Sequence, residues 1–322
     1  MNISVVIPCF NEGLGIEETH SRLSSVLSSL TIAYELIFVN DGSSDDTRDK
    51  LRGLAAADPR TRVINLSRNF GHQIAVTAGL DQAMGDAVVI IDADLQDPPQ
   101  VIIQMVEKWQ EGYEVVYGKR THRPGETKFK LFSARMFYAT LNWLSDISIP
   151  RNVGDFRLLD RRVVEAIKSM REQNRFLRGM ASWAGFRQFA LEYQRDARFA
   201  GETKYPLKKM VRLASDGIFS FSVVPLRAAI WTGVGTAFFA LLGIVYAVAM
   251  RLFTEEWLPG WTLLLVSVFL LGGVQLIFLG VIGEYIGRIF GEVKARPLYF
   301  VSETAGFEKA IPSDIKARIS AR

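Results

Sequence analysis

The chain has 322 residues, with 38 Lys and Arg against 34 Asp and Glu, a formal net charge of +4 and 49% hydrophobic residues. That length is enough for two or so domains, and the single cysteine, Cys9, excludes an intrachain disulfide and suits a reducing compartment. The modest positive charge gathers beside two uncharged runs near the C-terminus, so the expected partner is anionic lipid and not nucleic acid.

The N-terminus, Met1-Asn-Ile-Ser-Val-Val-Ile-Pro8, carries no basic stretch and reads as a first strand, not a signal peptide. Apolar runs at Ile3–Ile7, Tyr34–Val39, Arg62–Leu66, Asp86–Ile91 and Glu114–Tyr117 predict strands. Helical periodicity between them predicts helices over Glu17–Leu30, Asp45–Ala57, His72–Met84 and Pro98–Gln110. Such alternation predicts an α/β domain with a mostly parallel sheet covered by helices on both faces. Neither Gly-x-Gly-x-x-Gly nor Gly-x-x-x-x-Gly-Lys-Ser/Thr occurs, which excludes the common dinucleotide and P-loop phosphate cradles. Cys9 reads as a small buried strand residue.

Beyond residue 120 the pattern changes. Phe129–Leu144 is an aromatic-rich helix bearing Lys128, Lys130 and Arg135 at or near it, and Leu207–Val224 is a basic amphipathic stretch suited to a membrane interface. Ala228–Met250 then runs 23 residues without a charge, and Trp257–Gly283 runs 27. Each exceeds the roughly 20 residues that span a bilayer. Lys208, Lys209, Arg212 and Arg227 precede the pair and Arg288, Lys294 and Arg296 follow it, while the connection holds Arg251 with Glu255 and Glu256. The positive-inside rule therefore places the preceding α/β domain and both termini in the cytoplasm, in a multi-pass protein of the cell inner (plasma) membrane. Gly283-x-x-x-Gly287-x-x-x-Gly291 allows close helix approach, within one chain or between chains of a homo-oligomer.

Acidic residues gather at predicted strand ends. Asp92-Ala-Asp94-Leu-Gln96-Asp97 follows the fourth strand, and its carboxylates are hard oxygen donors for a divalent cation. Asp41 ends the second strand before Gly42-Ser43-Ser44-Asp45, where Ser44 or Asp45 caps the next helix. Asn11 and Glu12 end the first. In a doubly wound sheet these ends meet in one crevice, and so many carboxylates repel unless a cation or donor ligand joins them.

Four motifs carry a resemblance: Val-Val-Ile-Pro-Cys-Phe-Asn-Glu, Val-Asn-Asp-Gly-Ser-Ser-Asp-Asp-Thr, Leu-Ser-Arg-Asn-Phe-Gly-His and Asp-Ala-Asp-Leu-Gln-Asp-Pro-Pro. In this order they resemble the inverting family 2 glycosyltransferases of GT-A fold, a Rossmann-like architecture, and more narrowly the polyisoprenyl-phosphate glycosyltransferases. The resemblance implies a nucleotide pocket built from Pro8, Asn11, Glu12, Asp41, Arg68, Asn69 and Gly71, with Arg198 and Lys204 closing over the donor pyrophosphate around Gly201. It implies that Asp92, Asp94 and Gln96 hold Mg2+ or Mn2+, with Asp94 and Asp155 as the catalytic acids. Asp155 stands as a base or as an orienting group. Arg120, Lys128, Lys130, Ser133 and Arg135 are the implied contacts to a lipid phosphate, and His72 is a donor contact or an ordinary surface residue.

The expected organisation is a GT-A domain over 1–205, a juxtamembrane segment over 206–227, two transmembrane helices over 228–287 and a cytoplasmic tail over 288–322. The expected reaction is inverting transfer of a hexose, glucose by analogy, from a UDP-sugar to undecaprenyl or another polyprenyl phosphate. Alternatives are a GDP-mannose-using dolichol-phosphate-mannose type synthase, a processive polysaccharide synthase, and a non-enzymatic flippase or scaffold subunit. The processive reading lacks its Gln-x-x-Arg-Trp signature, since Gln173-Asn-Arg-Phe176 fails it.

Overall fold

A computed structural model describes residues 1–121, 153–196, 222–253 and 260–307. The chain divides into two compact units. The first holds, of the described residues, 1–121, 153–196 and 297–307. The second holds 222–253 and 260–296.

The first unit is an eight-stranded sheet. Its strands are β1 (Asn2–Cys9), β2 (Ala33–Asn40), β3 (Thr61–Leu66), β4 (Ala87–Ile90), β5 (Val115–Arg120), β6 (Val153–Asp160), β7 (Gln188–Tyr193) and β8 (Val301–Ala305). They lie in the order β7-β5-β6-β4-β1-β2-β3-β8. The helices are α1 (Ile16–Ser28), α2 (Thr47–Ala57), α3 (His72–Gln82), α4 (Val101–Gln110), α5 (Arg161–Ser169) and α6 (Leu177–Trp183). The predicted strands and helices up to residue 120 all form, with ends shifted by a few residues.

Strands β4, β1, β2 and β3 are mutually parallel, as the β–α alternation demands. They are buried on both faces and so read as continuous apolar runs. Val5, Ile7, Phe38, Val63 and Val89 pack with Leu23 and Leu27 of α1, Leu51 of α2 and Met105 of α4 in one core. Helix α3 packs on β1 and β2. Cys9 is buried in the same core and its thiol donates to the Ile7 carbonyl (3.3 Å). Burial, then Glu12 and Asp92, pushes that thiol well above its usual range, which makes it a poor nucleophile.

Two strands depart from the parallel set. Strand β6 runs antiparallel between β4 and β5, with Ile90 opposite Arg157. Two residues further along, that register brings Asp155 opposite Asp92. Strand β8 closes the other edge antiparallel to β3, Ile64 facing Thr304. Its Glu303 takes hydrogen bonds from Arg48 (2.6 Å) and Arg52 (3.0 Å) of α2. Residues 301–305, within the span 288–322 read from sequence as a C-terminal tail, thus complete the sheet of the first unit. The segment is five residues long at a sheet edge, and its pairing partner lies more than two hundred residues away, so no local periodicity announces it.

The second unit contains α7 (Val224–Phe253) and α8 (Trp261–Val293). Both are long and apolar enough to cross a membrane, over Val224–Tyr246 and Ser267–Val293. Trp231, Phe239, Phe269 and Leu276 are exposed, the arrangement lipid-facing side chains need. Helix α8 runs past the expected end at 287, and Arg288 pairs with Glu284 (3.0 Å) one turn earlier. The expected amphipathic stretch lies outside the described residues up to 221, as does the helix over 129–144.

Candidate active site

Every parallel strand of the sheet ends at one edge, and the functional candidates assemble there from the chain turns that follow. At the end of β1, Asn11 adopts φ 55°, and its side-chain oxygen accepts the Ser44 N–H (2.8 Å) while its own N–H donates to Ser43 (2.9 Å). Asp45 accepts from the Gly13 N–H (3.1 Å) and the Thr47 N–H (3.1 Å), so one carboxylate ties the first two strand-end turns together. Burial opposes ionisation of Asp45, but these bonds outweigh it and hold the group below the usual carboxylate range. The N-cap of α2 is Asp46, whose side chain makes no capping bond, and not Ser44 or Asp45 as expected; Asp45 reaches the Thr47 N–H from one residue earlier.

Asp41 is buried and uses both oxygens on the next loop, accepting the N–H of Phe70 (2.7 Å) and of Gly71 (2.9 Å). Its carboxyl is raised by burial despite those bonds. Asp41 thereby fixes the Phe70–Gly71 loop against the end of β2. Gly42 follows with φ +66°, and a Cβ there would stand 2.4 Å from the Arg68 carbonyl carbon. Only glycine permits that approach between the two loops. Arg68 lies over the Phe70 ring (4.0 Å), and Phe70 in turn meets Phe300 of the C-terminal segment (6.5 Å). Pro8 is buried in β1, while Asn69 is exposed on the loop.

The end of β4 carries the acids. Asp92 is partly exposed, Asp94 is buried, and Asp94 Oδ1 accepts the Gln96 N–H (3.1 Å) across Leu95, whose φ is 56°. A branched residue in the left-handed region costs about 1–3 kcal/mol and persists where the surroundings impose it. Burial raises the Asp92 carboxyl, His72 lowers it, and Asp155, Asp97 and Asp94 raise it again, leaving it above its ordinary value. Among the described residues no three His, Cys, Asp or Glu side chains converge as a closed metal cage. Two crowded carboxylates and the amide oxygen of Gln96 do fit a hard divalent cation that draws its remaining ligands from a bound phosphate.

Facing them across the β4–β6 register is Asp155. Its Oδ1 accepts from Arg178 Nε (2.8 Å), and its Oδ2 accepts from the second Arg178 nitrogen (3.2 Å) and from Gln73 (3.2 Å). His72, the first residue of α3, sets Nε2 3.3 Å from Asp155 Oδ2 and 3.7 Å from Asp92 Oδ1, between the two without a well-aligned bond to either. Burial would lower the His72 pKa, yet the two carboxylates outweigh it and lift it to about 9. Burial would raise Asp155, yet Arg178 and His72 hold it well below the usual range. Beneath them Arg157 is buried and pushed down to about 10, first by burial, and donates to the Gly154 carbonyl (3.1 Å).

A second carboxylate hub adjoins. Asp97 is buried, accepts from the Tyr193 hydroxyl, and lies 3.2 Å from Arg195 Nε and 3.7 Å from Arg120. Arg120 also donates to Tyr193 (3.3 Å). Thus the arginine expected at a lipid phosphate stands beside the acidic loop, at the end of β5. Lys128, Lys130, Ser133, Arg135, Arg198, Gly201 and Lys204 lie outside the described residues. The residues missed from sequence are Gln73, Asp97, Arg157, Arg178 and Arg195. Asp97 sits inside the acidic motif and Arg157 beside Asp155, so proximity could have flagged them, whereas nothing local marks Arg178 or Gln73.

A mostly parallel sheet with paired acids after a buried strand, faced by a further carboxylate on an inserted antiparallel strand, is the architecture expected of a GT-A type glycosyltransferase. Residues 4–168 match the model described as glycosyl transferase family 2, and the chain belongs to that family. It is 53% identical to an uncharacterized glycosyltransferase of Bacillus subtilis, over 95% of this chain and 94% of that protein. It is also 43% identical to the bactoprenol glucosyl transferase of Shigella phage SfII, over 94% of this chain and 98% of that protein. Among solved structures it resembles the glucosyl-3-phosphoglycerate synthase of Mycobacterium tuberculosis in complex with Mn2+ and UDP-glucose, at 22% identity and TM-score 0.46, over 68% of this chain and 77% of that one.

Proposed function

We propose that the enzyme transfers glucose, with inversion, from UDP-glucose to a polyprenyl phosphate at the cytoplasmic membrane face. The observation that carries this reading is the opposition of Asp155, ionised and fixed, to the Asp92–Asp94 pair at one sheet edge, in a chain whose near-full-length relatives are named for bactoprenol glucosylation. Asp92, Asp94 and Gln96 would hold Mg2+ or Mn2+ against the donor diphosphate, where the cation neutralises charge developing on the departing nucleoside diphosphate. The Arg68–Gly71 loop, held by Asp41, walls the nucleotide pocket. A lipid phosphate oxygen attacks the anomeric carbon from the face opposite the leaving group.

That acceptor needs little help in losing a proton, because a phosphate monoester has its second pKa near about 6. A carboxylate held well below its ordinary range is also a weak base. Asp155 therefore orients the sugar or the acceptor. Arg120 supplies a guanidinium for the lipid phosphate, joined by Lys128 or Lys130, Ser133 and Arg135. Arg198 and Lys204 complete the donor side, and the two spans anchor the protein.

Incubating the purified protein in detergent with undecaprenyl phosphate and a panel of UDP- and GDP-sugars, with and without EDTA, tests the reading. Glucolipid from UDP-glucose alone, abolished by EDTA and restored by Mg2+ or Mn2+, is the expected result. Product from GDP-mannose alone would replace the donor assignment.

A further inference from the structure

Asp155 is held by side chains from two helices that follow it or precede it by long stretches of chain. Arg178, in the first turn of α6, places two nitrogens on the two carboxylate oxygens at 2.8 and 3.2 Å. Gln73, in the first turn of α3, donates to Oδ2 (3.2 Å) with its amide nitrogen and accepts the Leu177 N–H (3.0 Å) with its amide oxygen. Gln73 thereby joins the carboxylate to the start of the helix that carries Arg178. Arg157 acts on the other part of the same residue, with contacts to the Gly154 carbonyl (3.1 Å) and the Asp155 carbonyl (3.4 Å). One arginine grips the main chain at the start of β6 and another grips the Asp155 side chain.

A two-point contact from a planar guanidinium fixes both the position and the plane of a carboxylate, which a point charge on a flexible lysine does not. Asp155 is only 11% exposed, and His72 Nε2, which also lies 3.7 Å from Asp92, stands 3.3 Å from its Oδ2. We propose that Arg178, with Gln73 as its brace, is the positioning residue that selects the Asp155 rotamer used in the transfer, and so sets turnover more than donor binding. The inference rests on the orienting role assigned to Asp155 above. Geometry in such a site has to be held within a fraction of an ångström, since a displacement of about 1 Å lowers rate by about 100-fold.

The test uses the full-length protein in detergent, with UDP-glucose, undecaprenyl phosphate and Mg2+. Arg178→Gln is expected to lower kcat by about 100-fold while the KM for UDP-glucose stays within about threefold. Arg178→Lys is expected to recover less than about a tenth of the lost rate, because charge returns without the fork. In an Asp155→Asn background, Arg178→Gln should change kcat by less than about threefold, since a group that acts through Asp155 has nothing left to position. Equal losses from Arg178→Gln in both backgrounds, or full rescue by lysine, would overturn the proposal. Calorimetric UDP binding and thermal melting are followed for each variant. If Arg178→Gln fails to fold, Gln73→Met removes the brace at similar volume, with a kcat loss of about tenfold expected and an unchanged kcat counting against the idea. A fully active Asp155→Asn protein would instead remove the role of Asp155 itself, whereas an inactive Asp155→Asn beside an active Arg178→Gln would refute only the positioning role.

Discussion

At the scale of single residues, the site is a balance of buried and half-buried charge. Four acids, Asp92, Asp94, Asp97 and Asp155, are set against His72, Arg120, Arg178 and Arg195. Asp94→Ala removes one of two carboxylates suited to the cation and should lower kcat by about 100-fold or more, read from radiolabelled glucolipid formation. His72 gives a pH prediction with a definite sign. Its pKa rises from 6.5 in the unfolded chain to about 9 in the folded one, so its stabilising contribution is complete below about 6.5 and is lost as pH climbs through 9. Thermal melting of the metal-free protein in EDTA should therefore fall between pH 7 and pH 10, and His72→Gln should flatten that decline. An unchanged slope in the variant would mean that the imidazole is not charged in the folded protein.

At the scale of elements, the inserted strand β6 and the returning strand β8 matter most. Strand β6 is what delivers Asp155, because only an antiparallel neighbour of β4 starts at the edge where β4 ends. Strand β8 covers the edge of β3, and the Phe300 carbonyl just before it accepts the Ser67 N–H (2.9 Å) while its ring meets Phe70. The segment after the second span thus braces the Arg68–Gly71 loop. Phe300→Ala should raise the KM for UDP-glucose about tenfold with little change in kcat. Truncation after Arg296 should lower the melting temperature of the catalytic unit and expose β3 to proteolysis, since an uncovered strand edge is a site of misassociation. Wild-type melting in the truncated protein would show β8 to be dispensable.

At the scale of the whole molecule, a globular catalytic unit and a unit of two long apolar helices share one chain that enters the second and returns to the first. Each of the two helices is long and apolar enough to cross a membrane, so carbonate washing should leave the protein in the membrane fraction. The orientation proposed from basic residues has a direct test. In a Cys9→Ser background, Thr254→Cys should react with an impermeant maleimide added to intact cells, while Ser302→Cys should react only after lysis. Labelling in the reverse pattern would invert the topology.

Much of this was legible before any tertiary structure. The continuous apolar runs and the helices between them follow from residue chemistry within a few positions, so the parallel core, the two long helices and the strand-end motifs at Asn11, Asp41 and Asp92 could be read directly. Those signals are local: burial on both faces demands unbroken apolar strands, and a bilayer demands about 20 apolar residues in sequence. The antiparallel insertion of β6, the closure by β8, the use of Asp41 to hold its neighbouring loop, and the grip of Arg178 and Gln73 on Asp155 were decided only by the folded chain. Each depends on a pairing between residues 23 or more positions apart, and no local period or spacing encodes which distant side chain will neutralise a buried carboxylate.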